Sequence, residues 1–322
     1  MTAVGRTELK AAGITVAGLG ALAFLPLFVR RDDVLNFVFL IALFIALAES
    51  WNIVAGYAGQ VNLGHAAFFG LGALVTRTLW TEGLPILLAM AAGAAAAVGA
   101  ALVIGTVAFR LRGAYFAIGT LAFGEILRIT VGNTLAEIST LPAPTIAAYR
   151  LTARYYAGLG LAALSVIVVA AIAISKLGVG MQAVREDEDA AEATGVNALG
   201  LKVTALALST MLAGLAGGLF AYYHISYYPQ HPFGPHWTFD ALLITFIGGV
   251  GTLHGPVLGA VFYVFLKEYL ALRWVDFHVL IFGTLFVVIV LLLPGGLVEA
   301  VSLLKLGASK APRPPDARNR PG

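Results

Sequence analysis

Few side chains in this chain are placed where they could do chemistry, because 60% of its 322 residues are hydrophobic and 11% are charged. The densest polar group is acidic: Glu186, Asp187, Glu188, Asp189 and Glu192 crowd together, preceded by Arg185, interleaved with Ala190 and Ala191, and followed by Gly195. Each charge at mid-bilayer costs a few kcal/mol even on lenient scales, so this stretch belongs in water. It is either a connector between two apolar blocks or a surface on which something docks. Among the charges inside apolar runs are Glu49, standing alone, and Glu125 with Arg128 at the i,i+3 spacing at which helical side chains meet. An intramembrane charge is a functional candidate by default, and a structural ion pair is the competing reading of the second group.

Two polar, glycine-rich interruptions also break the apolar sequence. The first carries Gly56, Gly59, Gln60, Asn62, Gly64 and His65; the second carries Gly248, Gly249, Gly251, His254, Gly255 and Pro256. Regular helix cannot run through the second, and non-helical backbone at membrane depth is tolerated only where protein or a water-filled cavity satisfies it. Paired interruptions mark the route in transporters built from two halves, while single glycines in membrane helices more often serve close packing. Catalytic constellations are lacking. The chain has no cysteine, which excludes disulfides and thiolate chemistry. His224, His231 and His236 fit no zinc spacing and sit with tyrosines, as in an interfacial aromatic belt. The run from Gly249 to Gly251 lacks a dinucleotide fingerprint, and no Gly-x-x-x-x-Gly-Lys-Ser/Thr phosphate loop occurs, so the chain has no ATP site of its own.

The elements that must hold these residues are membrane helices. A mean hydropathy of +0.90 and 37 glycines exclude an ordinary soluble balance, and long apolar runs exclude an outer-membrane barrel. The expected fold is an all-α integral membrane protein, a polytopic bundle of about ten crossings with broken helices. Spans are predicted at Ala11–Val29, Val34–Val54, Leu63–Trp80, Leu84–Phe109, Gly113–Asn133, Tyr155–Ser175, Leu201–Tyr223, Trp237–Val250, Gly255–Leu272 and Phe277–Leu293. Residues 1–10 read as a cytoplasmic tail, 11–301 as the membrane domain containing the polar segment 177–202, and 302–322 as a disordered basic cytoplasmic tail. With both termini inside, Arg110, Arg112, Lys176, Arg185 and Lys202 fall on the inner side, as the positive-inside rule requires. The net charge of +3 is scattered and forms no stripe, so no nucleic-acid partner is expected.

At this point the sequence resembles a known family. GYAGQVNLGHAAFFGLGA (Gly56–Ala73), RLRGAYFAIGTLAFGEILR (Arg110–Arg128), GMQAVREDEDAAEATGVN (Gly180–Asn197), FIGGVGTLHGPVLGA (Phe246–Ala260) and LLLPGGL (Leu291–Leu297) are similar, in order, to the LivM-type permeases of branched-chain amino acid ABC importers. The resemblance implies a type II importer fold in the bacterial cytoplasmic (inner) membrane. The implied partners are a LivH-type permease, two cytoplasmic ATPase subunits that bind ATP and Mg, and an external substrate-binding protein. It also implies that Gly180–Asn197 is the coupling segment, its Glu-x-Ala-Ala then Gly pattern met by Glu188, Ala190, Ala191 and Gly195. Two departures, Glu49 and the short Pro-containing loop Leu135–Arg154, bear on substrate identity more than on mechanism.

Physics agrees with a coupling role. Acids at the start of a short helix complement its positive end, and the alanines leave a low-relief face for a groove. Leucine, isoleucine and valine are the substrates implied, with urea or short amides as the variation within such permeases. The rival class is a stand-alone secondary transporter or channel in which Glu49, Glu125 or His65 binds the coupling ion.

Overall fold

The computed structural model describes residues 3–29, 31–273, 283–284, 287–288 and 295–299. The span expected at Phe277–Leu293 falls almost wholly outside the described residues, and the tail 302–322 wholly outside. In chain order the helices are α1 (Ala3–Leu22), α2 (Leu25–Phe28), α3 (Asp32–Asn52), α4 (His65–Thr81), α5 (Ile86–Ala108), α6 (Ala114–Thr134), α7 (Ala143–Ala147), α8 (Leu151–Ile174), α9 (Lys176–Glu186), α10 (Glu188–Ala193), α11 (Ala198–Tyr223), α12 (His236–Gly248) and α13 (Gly255–Arg273). Two residue pairs form the antiparallel ladder of β1 (Ser139–Thr140) with β2 (Ser226–Tyr227).

Among the described residues five helices are long and apolar enough to cross a membrane: Asp32–Tyr57, Ile86–Ala108, Ala114–Thr134, Leu151–Ile174 and Ala198–Tyr223. Shorter or more polar helices, α1, α4, α12 and α13, pack among them. The first helix begins at Ala3 and so takes in most of the segment read as a tail. The polar segment 177–202 is not one loop but two short helices, α9 and α10, followed by the first turn of α11.

The core lies where α3, α4, α8 and α11 meet, with Phe39, Trp51, Phe69 and Phe220 fully buried. Small residues allow the close approach: Gly72 of α4 lies against Gly214 of α11, and Gly93 of α5 against Thr76 of α4. The 26 residues of α11 span about 39 Å, enough to traverse the hydrocarbon. One end of α11 adjoins α9 and α10; the other adjoins the β ladder.

That second end is held by Arg77. Its guanidinium donates to the carbonyls of Ala221, His224, Ile225 and Ser139 at 3.2, 2.8, 2.5 and 2.8 Å, and to Ser139 Oγ at 2.9 Å. An arginine among the last carbonyls of a helix satisfies groups that have no intrahelical partner.

Candidate coupling and translocation site

The first interruption begins inside α3. After Asn52 the backbone widens into a π-helical turn, Ile53–Tyr57, in which Ala58 N–H donates to the Ile53 carbonyl at 3.3 Å. Asn52 sits at this junction and reaches the second interruption: its Oδ1 accepts from Gly251 N–H at 2.8 Å and its Nδ2 donates to the Thr252 carbonyl at 3.0 Å. Nearly two hundred residues of sequence are bridged by one side-chain amide. Gly56 makes the contact possible, since a Cβ there would meet Gly251 N at 2.7 Å and Asn52 itself closer still. Gly251 has φ +76°, a left-handed backbone that an L side chain rarely adopts.

A third element joins this node. Arg185, in the last turn of α9, donates to the Gly56 carbonyl, and a Cβ on Gly251 would meet its guanidinium at 2.5 Å. Its aliphatic stem packs on Gly59, where φ is +70°. The two interruptions and the polar segment therefore meet at one point, Arg185.

Beyond Arg185 the acids divide by role. Glu186 ends α9, and Asp187 caps α10 by accepting from Ala190 N–H at 2.9 Å. Glu188 accepts from Lys202 of α11, whose side chain is buried, and Asp189 accepts from Arg112 of the α5–α6 loop at 3.1 Å. Glu192 is exposed, and Thr194 leads into Gly195, whose φ of +89° stops the helix. Of the alanines, Ala191 is buried against Val184 and Ala198, while Ala190 and Ala193 face outward. So α10 presents Ala190, Ala193, Asp187 and Glu192 at the surface while two ion pairs fix it to the bundle.

The remaining residues of the first interruption turn inward. His65, fully buried, places Nε2 2.7 Å from Ser50 Oγ, which itself donates to the Leu47 carbonyl at 2.6 Å; Ser209 of α11 donates to the Ser50 carbonyl at 2.6 Å. Asn62, also buried, accepts from Gly64 N–H at 2.9 Å through Oδ1, and Gln60 is half-buried near the Ala58 carbonyl. These groups knit α3, α4 and α11 together inside the subunit. In the second interruption His254 Nδ1 lies 3.3 Å from Thr15 Oγ1, Gly255 N–H donates to Thr252 Oγ1 at 3.0 Å, Gly248 packs on Gly255, and Gly249 and Pro256 are buried.

Glu49 is completely buried beside Asn52, 3.5 Å from its Nδ2, and its Oε1 has no hydrogen-bond partner among the described residues. Arg128 grips Glu125 with two hydrogen bonds on α6, both side chains about one-third exposed. Exposed Ile118, Ile126 and Ile129 surround the pair on that helix. Sequence reasoning missed Asn52 and Arg77, and placed Lys202 and Arg112 on the inner side without their partners Glu188 and Asp189. The signal was present for Arg77, a lone arginine in an apolar run, and for Asn52, a polar residue directly before a glycine-rich break.

The family described as branched-chain amino acid transport system, permease component, matches residues 34–290. The high-affinity branched-chain amino acid transport system permease protein LivM of Escherichia coli is 31% identical over 328 residues, covering 88% of this chain and 75% of that protein. LivM of Salmonella typhimurium is 30% identical over 322 residues, with 89% and 75% covered. A probable branched-chain amino acid transport permease protein LivM of Methanocaldococcus jannaschii is 26% identical over 133 residues, with 37% and 38% covered. No solved structure matches the chain significantly.

Proposed function

The chain belongs to the family of permease components of branched-chain amino acid transport systems, and on that premise we propose that it forms one half of an ATP-driven import path for leucine, isoleucine and valine. As an ABC permease of the inner membrane it works with other transporter components. The finer assembly is our reading: a LivH-type permease beside it, two ATPase subunits under α10 that hold ATP and Mg, and a substrate-binding protein over the β1–β2 end. In that orientation both termini are cytoplasmic.

The observation that carries the mechanism is the Arg185 node. A coupling helix must be stiffly attached to the permease, or motion of the ATPases is lost in a loose loop. Here Glu188–Lys202 and Asp189–Arg112 fix α10, and Arg185 links α9 to Gly56 and Gly251. When the ATPase dimer closes, α9 and α10 are displaced together, and Arg185 carries the displacement to the broken ends of α3 and α12. Those ends can answer because each leaves regular helix at that point. Ligands that favour one of two such arrangements shift the population between them, which is alternating access.

The test is uptake by the reconstituted complex. Wild type imports labelled branched-chain amino acids with ATP, whereas Gly195→Pro, or reversal of Asp187 and Glu192 to lysine, keeps the permease inserted and abolishes import. Normal import by these variants refutes the coupling assignment. Absence of any co-purifying ATPase would refute the assembly.

A further inference from the structure

A cavity of about 280 Å³ lies between α3, α11, α12 and α13 toward the β1–β2 end, beside the middle of α3 and about two helical turns from the Arg185 node. Its walls differ in chemistry. Leu40, Leu43 and Phe44 of α3 and Val264 of α13 supply an apolar side, with Trp237 of α12 beside them. Lys267 and Glu268 of α13 supply one charge of each sign at the rim, where Tyr223 and His224 also contribute.

The two charges are neighbours in sequence yet are not spent on each other. Successive helical residues point about 100° apart, so the side chains flank the opening. Lys267 lies over the rings of Phe44 and Tyr263, 5.3 Å from each centroid, and forms an ion pair with Asp240 at 3.7 Å, longer than a hydrogen bond, so its ammonium keeps donors for a second carboxylate. Asp240 is in turn engaged by the Tyr263 hydroxyl at 2.5 Å. Glu268 makes no hydrogen bond or ion pair among the described residues, although it is partly buried.

A ligand that satisfies such a lining carries a carboxylate and an ammonium on one carbon and an aliphatic group on the other side. The volume is just under the roughly 300–1,000 Å³ of ordinary small-molecule pockets, which fits a single amino acid and not a peptide. We propose that this cavity binds a free aliphatic α-amino acid within the permease subunit. Lys267 receives the carboxylate, Glu268 the ammonium, and the branched side chain rests on Leu40, Leu43, Phe44 and Val264. The assignment rests on the reading of the chain as a branched-chain amino acid permease and adds a recognition site to it. Because α3 carries both Phe44 at the cavity and Asn52 at the node, occupancy and coupling share one helix over about 12 Å.

The same charge pair could be filled by the headgroup of phosphatidylethanolamine, so the test separates the two. The permease with its co-purifying subunits, without binding protein, is placed in phosphatidylcholine nanodiscs and titrated with radiolabelled L-leucine. Saturable binding is expected, competed by isoleucine and valine but not by 4-methylpentanoate or isopentylamine, which lack one charge each. Glu268→Gln and Lys267→Met should each weaken it by about ten-fold or more. Leu43→Trp, which fills the cavity, should abolish it, while Leu88→Trp on the exposed face of α5 leaves it unchanged.

Lack of saturable binding by wild type, or undiminished binding by Leu43→Trp, overturns the proposal, as does loss of leucine binding when phosphatidylethanolamine replaces phosphatidylcholine. ATP-driven uptake measured alongside tells the two readings apart. Import without binding refutes the cavity and leaves the function standing; no import of any branched-chain amino acid refutes the function itself.

Discussion

Arg185 donates a hydrogen bond to the carbonyl of Gly56, so the last turn of α9 is fastened to the π-helical turn that ends α3. Removing the guanidinium should separate force generation from transport. In Arg185→Ala the complex is expected to hydrolyse ATP near the wild-type rate while importing several-fold less per ATP. Arg185→Lys should restore little, because a point charge cannot reproduce a planar fork of donors that touches Gly56 and Gly251 together. The ratio of substrate imported to phosphate released, measured in proteoliposomes, checks both.

Gly251→Ala should harm the protein where Gly99→Ala does not. At Gly251 the methyl group meets Arg185 at 2.5 Å on a backbone with φ +76°, whereas a Cβ at Gly99 has nothing within 4 Å. The exposed helical site is expected to gain about 0.5–1 kcal/mol from reduced chain entropy, and the left-handed site to lose more than that. Thermal unfolding in detergent should therefore move in opposite directions for the two variants.

Lys202 is a buried cation whose carboxylate partner is Glu188. Breaking such a pair from one side costs about 3–5 kcal/mol, since the remaining charge stays buried without compensation, while replacing both ends is far milder. Glu188→Gln should accordingly release α10 from α11, seen as faster hydrogen exchange over residues 187–195. Glu188→Gln with Lys202→Met should recover most of the protection. Equal exchange in the single and double variants would rule this out.

His224 and His231 lie in the loop that follows α11, and burial holds both imidazoles below their ordinary value. A folded state that resists protonation loses stability where the unfolded segment takes up protons, which begins as pH falls through about 6.5 and continues down to the depressed folded value. Above that range the contribution is complete. The protection of residues 224–236, taken as exchange relative to the intrinsic amide rate at each pH, should therefore fall between pH 7.5 and 5.5, and His224→Phe should blunt the change.

Much of the helix layout was legible because its punctuation is local. α11 ends at Tyr223 as read, and α12 and α13 flank the glycine-rich break between Gly248 and Gly255. Apolar runs state where lipid-length helices lie. They do not state which distant polar groups meet, and the node is built from pairs 129 and 199 residues apart. The alanines illustrate a finer limit. Sequence reads Ala190, Ala191 and Ala193 as one face, but at 100° per residue Ala191 turns away from the other two and is buried. His65 and Asn62, read as path residues from their polarity, engage Ser50 and Gly64 inside the subunit, each keeping one buried nitrogen, Nδ1 and Nδ2, without a hydrogen-bond partner among the described residues.

The five hydrogen bonds of Arg77 also bear on how the chain is made. Every acceptor lies between Ser139 and Ile225, so when α4 emerges from the ribosome its arginine has none of these hydrogen-bond partners, only the Trp80 ring of its own helix. A cation in hydrocarbon without partners is costly, and synthesis proceeds from the N-terminus at about 5–20 residues per second. Arg77 must therefore wait several seconds, hydrated or shielded by the insertion machinery, until α11 arrives. The N-terminal half is consequently not a finished unit on its own, and a translation pause before residue 225 would leave an open, protease-sensitive intermediate.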